Sequence, residues 1–198
     1  MISAVVLAAG RSQRMGQPKM ALPWGDSTVI GRVVQVLSQA GVSDILVVTG
    51  GGSAAVHAAL QESAARLVHN PAYATGEMHS SLQVGLSGLP EDCEAALVAL
   101  GDQPQIQPQV VAGLLERYWS SRSVLVVPSY RMRRGHPWIV GRSLWSDIQA
   151  LSPPQTLRDL LQDKAGQIDY LAVDTESILA DLDTPDDYQR ALNRPGLG

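Results

Sequence analysis

Six short apolar, β-branched runs, at positions 2–7, 45–48, 67–68, 96–100, 124–127 and 168–173, alternate with stretches of helical spacing. This alternation restricts the chain to βα units, because each strand must find a helix face to cover it. The runs are apolar nearly throughout, so both faces of each strand are buried. That predicts a mostly parallel sheet with helices on either side. Helices are expected at 28–40, 53–61, 80–88, 109–119, 142–151, 156–164 and 185–193. Ser27 or Thr28, Ser53, Pro108 and the pair Thr184-Pro185 supply helix starts, through a capping oxygen or a proline where backbone donors are unpaired. A chain of 198 residues without repeats or a composition shift is expected to form one domain over 1–198. In such sheets the ligand sits at the carboxyl ends of the strands.

Charge narrows the partners. The balance of 15 Lys and Arg against 19 Asp and Glu gives −4, so no basic surface for a duplex or an anionic membrane is expected. Aromatic residues are 5%, too few for a single-strand stacking platform. Cys93 is the only cysteine, which excludes an intrachain disulfide or a cysteine-cluster metal site and suits a reducing compartment. No cationic leader and no run near the roughly 18 apolar residues of a spanning helix are seen. The expectation is a cytoplasmic protein, intact from Met1, with no nucleic-acid and no membrane partner.

The first run enters "LAAGRSQRMGQPK", Leu7 to Lys19. Two alanines and Gly10 let backbone approach a ligand, and successive amides there can form an anion-binding concavity. Arg11, Arg14 and Lys19 lie in this loop, no acidic residue precedes Asp26, and the chain has one other lysine, Lys164. Positive charge is thus gathered at a strand's carboxyl end. The glycine spacing matches neither the P-loop nor the dinucleotide-binding pattern, which removes support for ATPase and hydride-transfer chemistry. From the residues alone, an anion site and a plain glycine-rich connection with exposed arginines both remain open.

Two further segments carry carboxylates. "GDQP" places Asp102 directly after the run at 96–100, where it can face a phosphate-bound Mg²⁺ or close an Asx-turn. "DLDTPDD", Asp181 to Asp187, precedes the last helix; its Thr-Pro turn fixes Asp183, and other aspartates suit the helix N-terminus. The segment 128–137, "PSYRMRRGHP", reads either as a long functional loop or as a solvated arginine-rich hairpin.

The loop motif, an LAAG turn followed by Ser-x-Arg-Met-Gly and a lysine, resembles the nucleotidyltransferases that act on the molybdenum cofactor, in particular their cytidylyltransferase branch. The resemblance implies a three-layer αβα Rossmann-like nucleotidyltransferase fold with a mostly parallel mixed sheet. It implies Mg²⁺, with Mn²⁺ as a substitute, held by Asp102 and Asp183, and CTP as co-substrate. Leu7, Ala8, Ala9, Gly10, Lys19, Asn70 and Asp102 would then bind the nucleotide, with Arg14, Lys19 and Asp102 catalytic. "HNPAYATGEMHSSLQVGL" is similar to the family's Asn-Pro segment and Ser-Ser-Leu helix start, which implies substrate contacts at Gly76, Ser80 and Ser81. Glu77 departs from that pattern, since a small or apolar residue is expected there. "RRGHPWIVG" resembles the family's GHP strand and implies substrate contacts at Arg134 and His136; a hydrogen-bonded structural histidine is the other reading of His136.

The implied reaction is transfer of CMP to the terminal phosphate of molybdopterin cofactor, with a molybdoenzyme or its maturation chaperone as a further partner. Alternatives are the same chemistry with GTP, transfer to a sugar or alcohol phosphate, and a non-catalytic cofactor carrier. Asp181 and Asp186 stay outside the expected site.

Overall fold

The structure is a computed structural model and describes residues 1–75 and 77–193. In chain order the elements are β1 (Ile2–Ala8), β2 (Pro23–Trp24), β3 (Ser27–Thr28), α1 (Val29–Gln39), β4 (Ile45–Thr49), α2 (Ser53–Ala59) and β5 (Arg66–His69). There follow α3 (Met78–Ser87), β6 (Ala95–Leu100), α4 (Pro108–Ser121), β7 (Leu125–Tyr130), β8 (Arg133–Arg134) and β9 (Trp138–Gly141). The chain continues through α5 (Trp145–Gln149), α6 (Leu157–Asp163), β10 (Ile168–Ala172) and α7 (Pro185–Leu192).

The main sheet runs β10-β7-β9-β6-β1-β4-β5, with β8 paired to β7. The pairs of β1 with β4 and β6, of β4 with β5, and of β10 with β7 are parallel; β9 runs antiparallel to both neighbours. Alternation along β1 explains the layering: Ala4, Val6 and Ala8 pack with Ile30, Val33 and Leu37 of α1 and Leu114 of α4. Val5 and Leu7 point the other way, onto Leu82 and Leu86 of α3, Ile148 of α5 and Leu157 of α6. The expected mostly parallel mixed sheet with a helical layer on each face is therefore present. Among the described residues no helix is long and apolar enough to cross a membrane.

Three local readings are refined. The segment 128–137 is not a long loop: β7 continues to Tyr130 and turns tightly into β8, with Arg131 and Met132 at φ 47° and 65° at the tip. The arginines stay solvated while the backbone completes its ladder, and Arg134 stacks over the Tyr170 ring at 5.5 Å. The helix expected at 142–151 is a short 3₁₀ turn followed by α5. Thr28 and Thr184 cap α1 and α7 as expected, whereas Ser53 is the first helical residue and its hydroxyl meets Thr49 Oγ1 at 3.2 Å.

A third, smaller core positions the site. Met15, Leu22, Trp24 and Val29 from the region after β1 pack against Leu182, Tyr188 and Ala191 from the C-terminal segment. Burying this cluster holds the two ends of the described chain against each other.

Candidate active site

At the carboxyl ends of β1 and β6 the two chain segments are stapled by backbone. Gly101 N donates to Leu7 O at 3.0 Å, and Leu182 N donates to Asp102 O at 3.1 Å. These bonds bring three segments remote in sequence to one place. Lys19, only 7% exposed, points its ammonium between two carboxylates: Nζ is 2.5 Å from Asp102 Oδ2 and 3.5 Å from Asp183 Oδ1. Arg14, on the same loop, reaches Asp183 Oδ2 at 2.9 Å. Lys19 N also donates to Ser12 Oγ at 3.3 Å, which fixes the loop where it returns to the core. The expected convergence of the cationic loop on Asp102 and Asp183 is thus a feature of the molecule.

These groups open into a cavity of about 380 Å³ whose wall includes Leu7, Ala9, Gly10, Lys19, Ser81, Asp102 and Asp183. A larger polar groove of about 710 Å³, beside α1 and α2, contains Asp26, Gln35 and Glu62 and none of the clustered cations. Of the two, only the smaller cavity holds a lysine together with paired carboxylates that suit a phosphate-bound cation, so the smaller one is the candidate site.

The other expected residues divide. Ala8 ends β1 with its side chain in the core. Asn70 is 1% exposed, and its amide is engaged: Nδ2 donates to Ser80 Oγ and Ser81 Oγ, both at 3.0 Å, and Oδ1 accepts from Ala72 N at 2.9 Å. It ties the end of β5 to the start of α3, and only Ser81 of its partners reaches the cavity wall. Gly76 lies outside the described residues. Arg134, stacked on Tyr170, and His136 are not among the residues lining the cavity. His136 N donates to Ile178 O at 3.0 Å, and burial of its imidazole lowers the pKa from 6.5 to about 4, so the ring is neutral near pH 7.

Sequence reasoning missed several wall residues. Asp181 lines the cavity, and Gln103, 2% exposed, donates to its Oδ1 at 2.6 Å. Burial pushes the Asp181 pKa up, the charges of Asp102 and Asp183 push the same way, and the Gln103 bond opposes them. Its two-residue spacing from Asp183 in an extended segment was the available signal, because such residues share a face. Met78 and Tyr73 also line the cavity, and little in their local sequence announces it; Glu77, the departure from the family's pattern at the expected substrate turn, lines it too.

Whether the donor set suits Mg²⁺ can be judged from its chemistry. Among the described residues no group of three or more His, Cys, Asp or Glu side chains could hold a metal ion on its own. Asp102 and Asp183 instead offer hard oxygen donors that already converge on one cation, the Lys19 ammonium. Mg²⁺ is commonly held by one or two carboxylates with substrate phosphate and water completing the shell, so the residues fit.

Comparison with known proteins identifies the family. The profile described as "MobA-like NTP transferase domain" matches residues 4–168. The molybdenum cofactor cytidylyltransferase of Escherichia coli (strain K12) is 29% identical over 98% of this chain and 96% of its own length. The crystal structure of Rv0371c from Mycobacterium tuberculosis H37Rv superposes with TM-score 0.85 and 32% identity, covering 98% of both chains. A manganese complex of Rv0371c superposes with TM-score 0.81 and 31% identity over 96% of this chain and 97% of that one. The chain is a nucleotidyltransferase and belongs to the MobA-like NTP transferase domain family.

Proposed function

We propose that the protein transfers CMP from CTP to the terminal phosphate of molybdopterin cofactor and releases pyrophosphate. One observation carries the reading: Lys19 Nζ lies between Asp102 and Asp183, beside the backbone turn that ends β1. The similarity to a cytidylyltransferase over nearly the full length of both chains supports the choice of nucleotide and acceptor.

In this reading, Leu7, Ala9 and Gly10 present main-chain groups to the nucleotide. Lys19 and Arg14 neutralise charge on the α-phosphate and on the departing pyrophosphate. Asp102 and Asp183 would hold Mg²⁺, which when bound supplies charge stabilisation on the triphosphate. The attacking group is the acceptor's phosphate oxygen, already ionised at neutral pH, so no residue has to remove a proton. The acceptor O–P bond forms as the bond to pyrophosphate breaks, and the pyrophosphate leaves as an anion beside the two cations.

The test is pyrophosphate release from CTP, GTP or ATP with molybdopterin cofactor, a sugar phosphate or an alcohol phosphate as acceptor, with and without Mg²⁺. Release with CTP alone supports the reading. Release only with GTP makes the protein a guanylyltransferase, and release only with a sugar or alcohol phosphate moves the acceptor. No release with any pair, while the cofactor still binds, identifies a carrier.

A further inference from the structure

The candidate cavity crosses three strand ends. Asp102 follows β6, the turn Ala9–Gly10 follows β1, and the wall beyond is made by Tyr73 against the residues that follow β4. Strands lie roughly 4.8 Å apart, so the span from β6 to β4 is about 10 Å, close to the separation between a triphosphate and the far side of its nucleoside. With Lys19 and the aspartates at the β6 side, the nucleoside belongs at the β4 side.

Tyr73 is built into that wall. A β-carbon on Gly50 would stand 2.4 Å from Ala9 O and 2.6 Å from Tyr73 Cβ; one on Gly51 would stand 3.0 Å from Tyr73 Cε2 and 3.4 Å from Arg11 Cγ. Only bare backbone at these two positions fits between Tyr73 on one side and Ala9 and Arg11 on the other, so Tyr73 bears on the turn that follows β1 through Gly50 and Gly51. The ring is held from a second direction by His69, edge-on at 5.8 Å, whose Nδ1 is 3.5 Å from Thr49 Oγ1. Tyr73 N donates to Asn70 O at 3.3 Å, which anchors its backbone to the end of β5.

We infer that Tyr73 is a positioning residue for the nucleoside: wedged over Gly50 and Gly51, it holds the Ala9–Arg11 turn in its binding geometry and closes the cavity at the nucleoside end. The inference rests on the nucleotide-binding reading of this cavity. A ring that supports backbone reads no base edge, so its contribution is the same for every base the site accepts. It acts before chemistry, in binding.

The experiment is calorimetric titration of the full chain with CTP, GTP and ATP in the presence of Mg²⁺, with steady-state kinetics alongside. Tyr73→Phe should bind within about twofold of wild type, since the ring is kept. Tyr73→Ala should weaken every nucleotide that binds by about tenfold, by the same factor for each base, with kcat at saturation within threefold. Gly51→Ala should imitate it, because the added carbon displaces the ring, and in the Tyr73→Ala background it should add little. Gly51→Ala carries the test by itself if Tyr73→Ala fails to fold.

Unchanged affinity in folded Tyr73→Ala, a loss for only some of the nucleotides that bind wild type, or a loss in kcat with affinity intact would each overturn the inference while leaving the proposed function standing. A wild-type protein that binds no nucleotide would overturn both.

Discussion

The phenolic hydroxyl of Tyr188 donates to the carbonyl oxygen of Pro23 at 2.6 Å, joining positions 165 residues apart. Around this bond Trp24, Leu22 and Met15 pack against Leu182 and Ala191, so α7 is clamped onto the segment that carries Lys19. The capping box of Thr184 and Asp187 begins α7 one residue after Asp183. The position of Asp183 opposite Lys19 therefore depends on how firmly the last helix is docked.

Tyr188→Phe removes that bond and keeps the ring. The expected loss is about 1 kcal/mol, or roughly 2–4 °C in melting temperature for a chain of this size. Amide exchange should quicken in the segment 13–24 more than elsewhere. Exchange unchanged there, measured by mass spectrometry at pH 7, would show that the small core holds the ends together without the bond.

Asp102→Asn should separate stability from catalysis. Lys19 is nearly buried and keeps Asp183 at 3.5 Å, so the expected destabilisation is about 1–3 kcal/mol, less than for a wholly unpaired buried lysine. Turnover should fall by about two decades or more, because charge on the transferring phosphate loses its stabiliser. Pyrophosphate release within threefold of wild type would remove Asp102 from the catalytic group.

Much of this arrangement can be read from the residues. The apolar runs announce a mostly parallel sheet because burial on both faces leaves a composition that helices at this length do not share. Lys19 and Asp102 stand out because charge gathers in the segments that follow a strand's carboxyl end, and Asp183 because a Thr-Pro helix start follows it. What escapes the sequence is contact between remote segments. β9 spans only Trp138–Gly141, too short for an alternating pattern to separate it from a buried turn, and only the resemblance of "RRGHPWIVG" to a strand marks it. Asp181 looks like one more aspartate of a helix-capping cluster until Gln103 is seen to hold it at the cavity. Asn70 reads as a nucleotide contact, and the sequence does not show that its amide also binds Ser80, Ser81 and Ala72, an accounting available only once partners are known.

His136 should make stability fall on acidification. Its folded pKa of about 4 lies below the unfolded value of 6.5 because burial disfavours the imidazolium. Between these values the unfolded chain binds the extra proton, so unfolding free energy rises with pH across that window and flattens above it. Partial exposure of the residue keeps the effect to at most about 3 kcal/mol. Urea unfolding at pH 4.5, 5.5, 6.5 and 7.5 should show the slope in wild type and a shallower one in His136→Gln. Parallel curves for the two proteins would assign the slope to other groups.

Gly135→Ala tests whether the β7–β8 hairpin and the aspartates are mechanically connected. A β-carbon there would stand 2.3 Å from Ile178 O and 2.7 Å from Ile178 Cβ, and Ile178 is fully buried, so the backbone has to move. The same carbonyl accepts from His136 N, and Asp181 and Asp183 follow a few residues on. The expected cost is about 1–3 kcal/mol, as for other insertions into packed interiors. A displaced 178–183 segment also shifts the carboxylates against Lys19, so kcat/KM should drop about tenfold or more at a temperature where the variant is still folded. Gly166→Ala, where an added β-carbon meets nothing within 4 Å, is the matched control and should change neither quantity. A Gly135→Ala protein with a lowered melting temperature and wild-type turnover would mean that the hairpin is braced against Ile178 for stability alone.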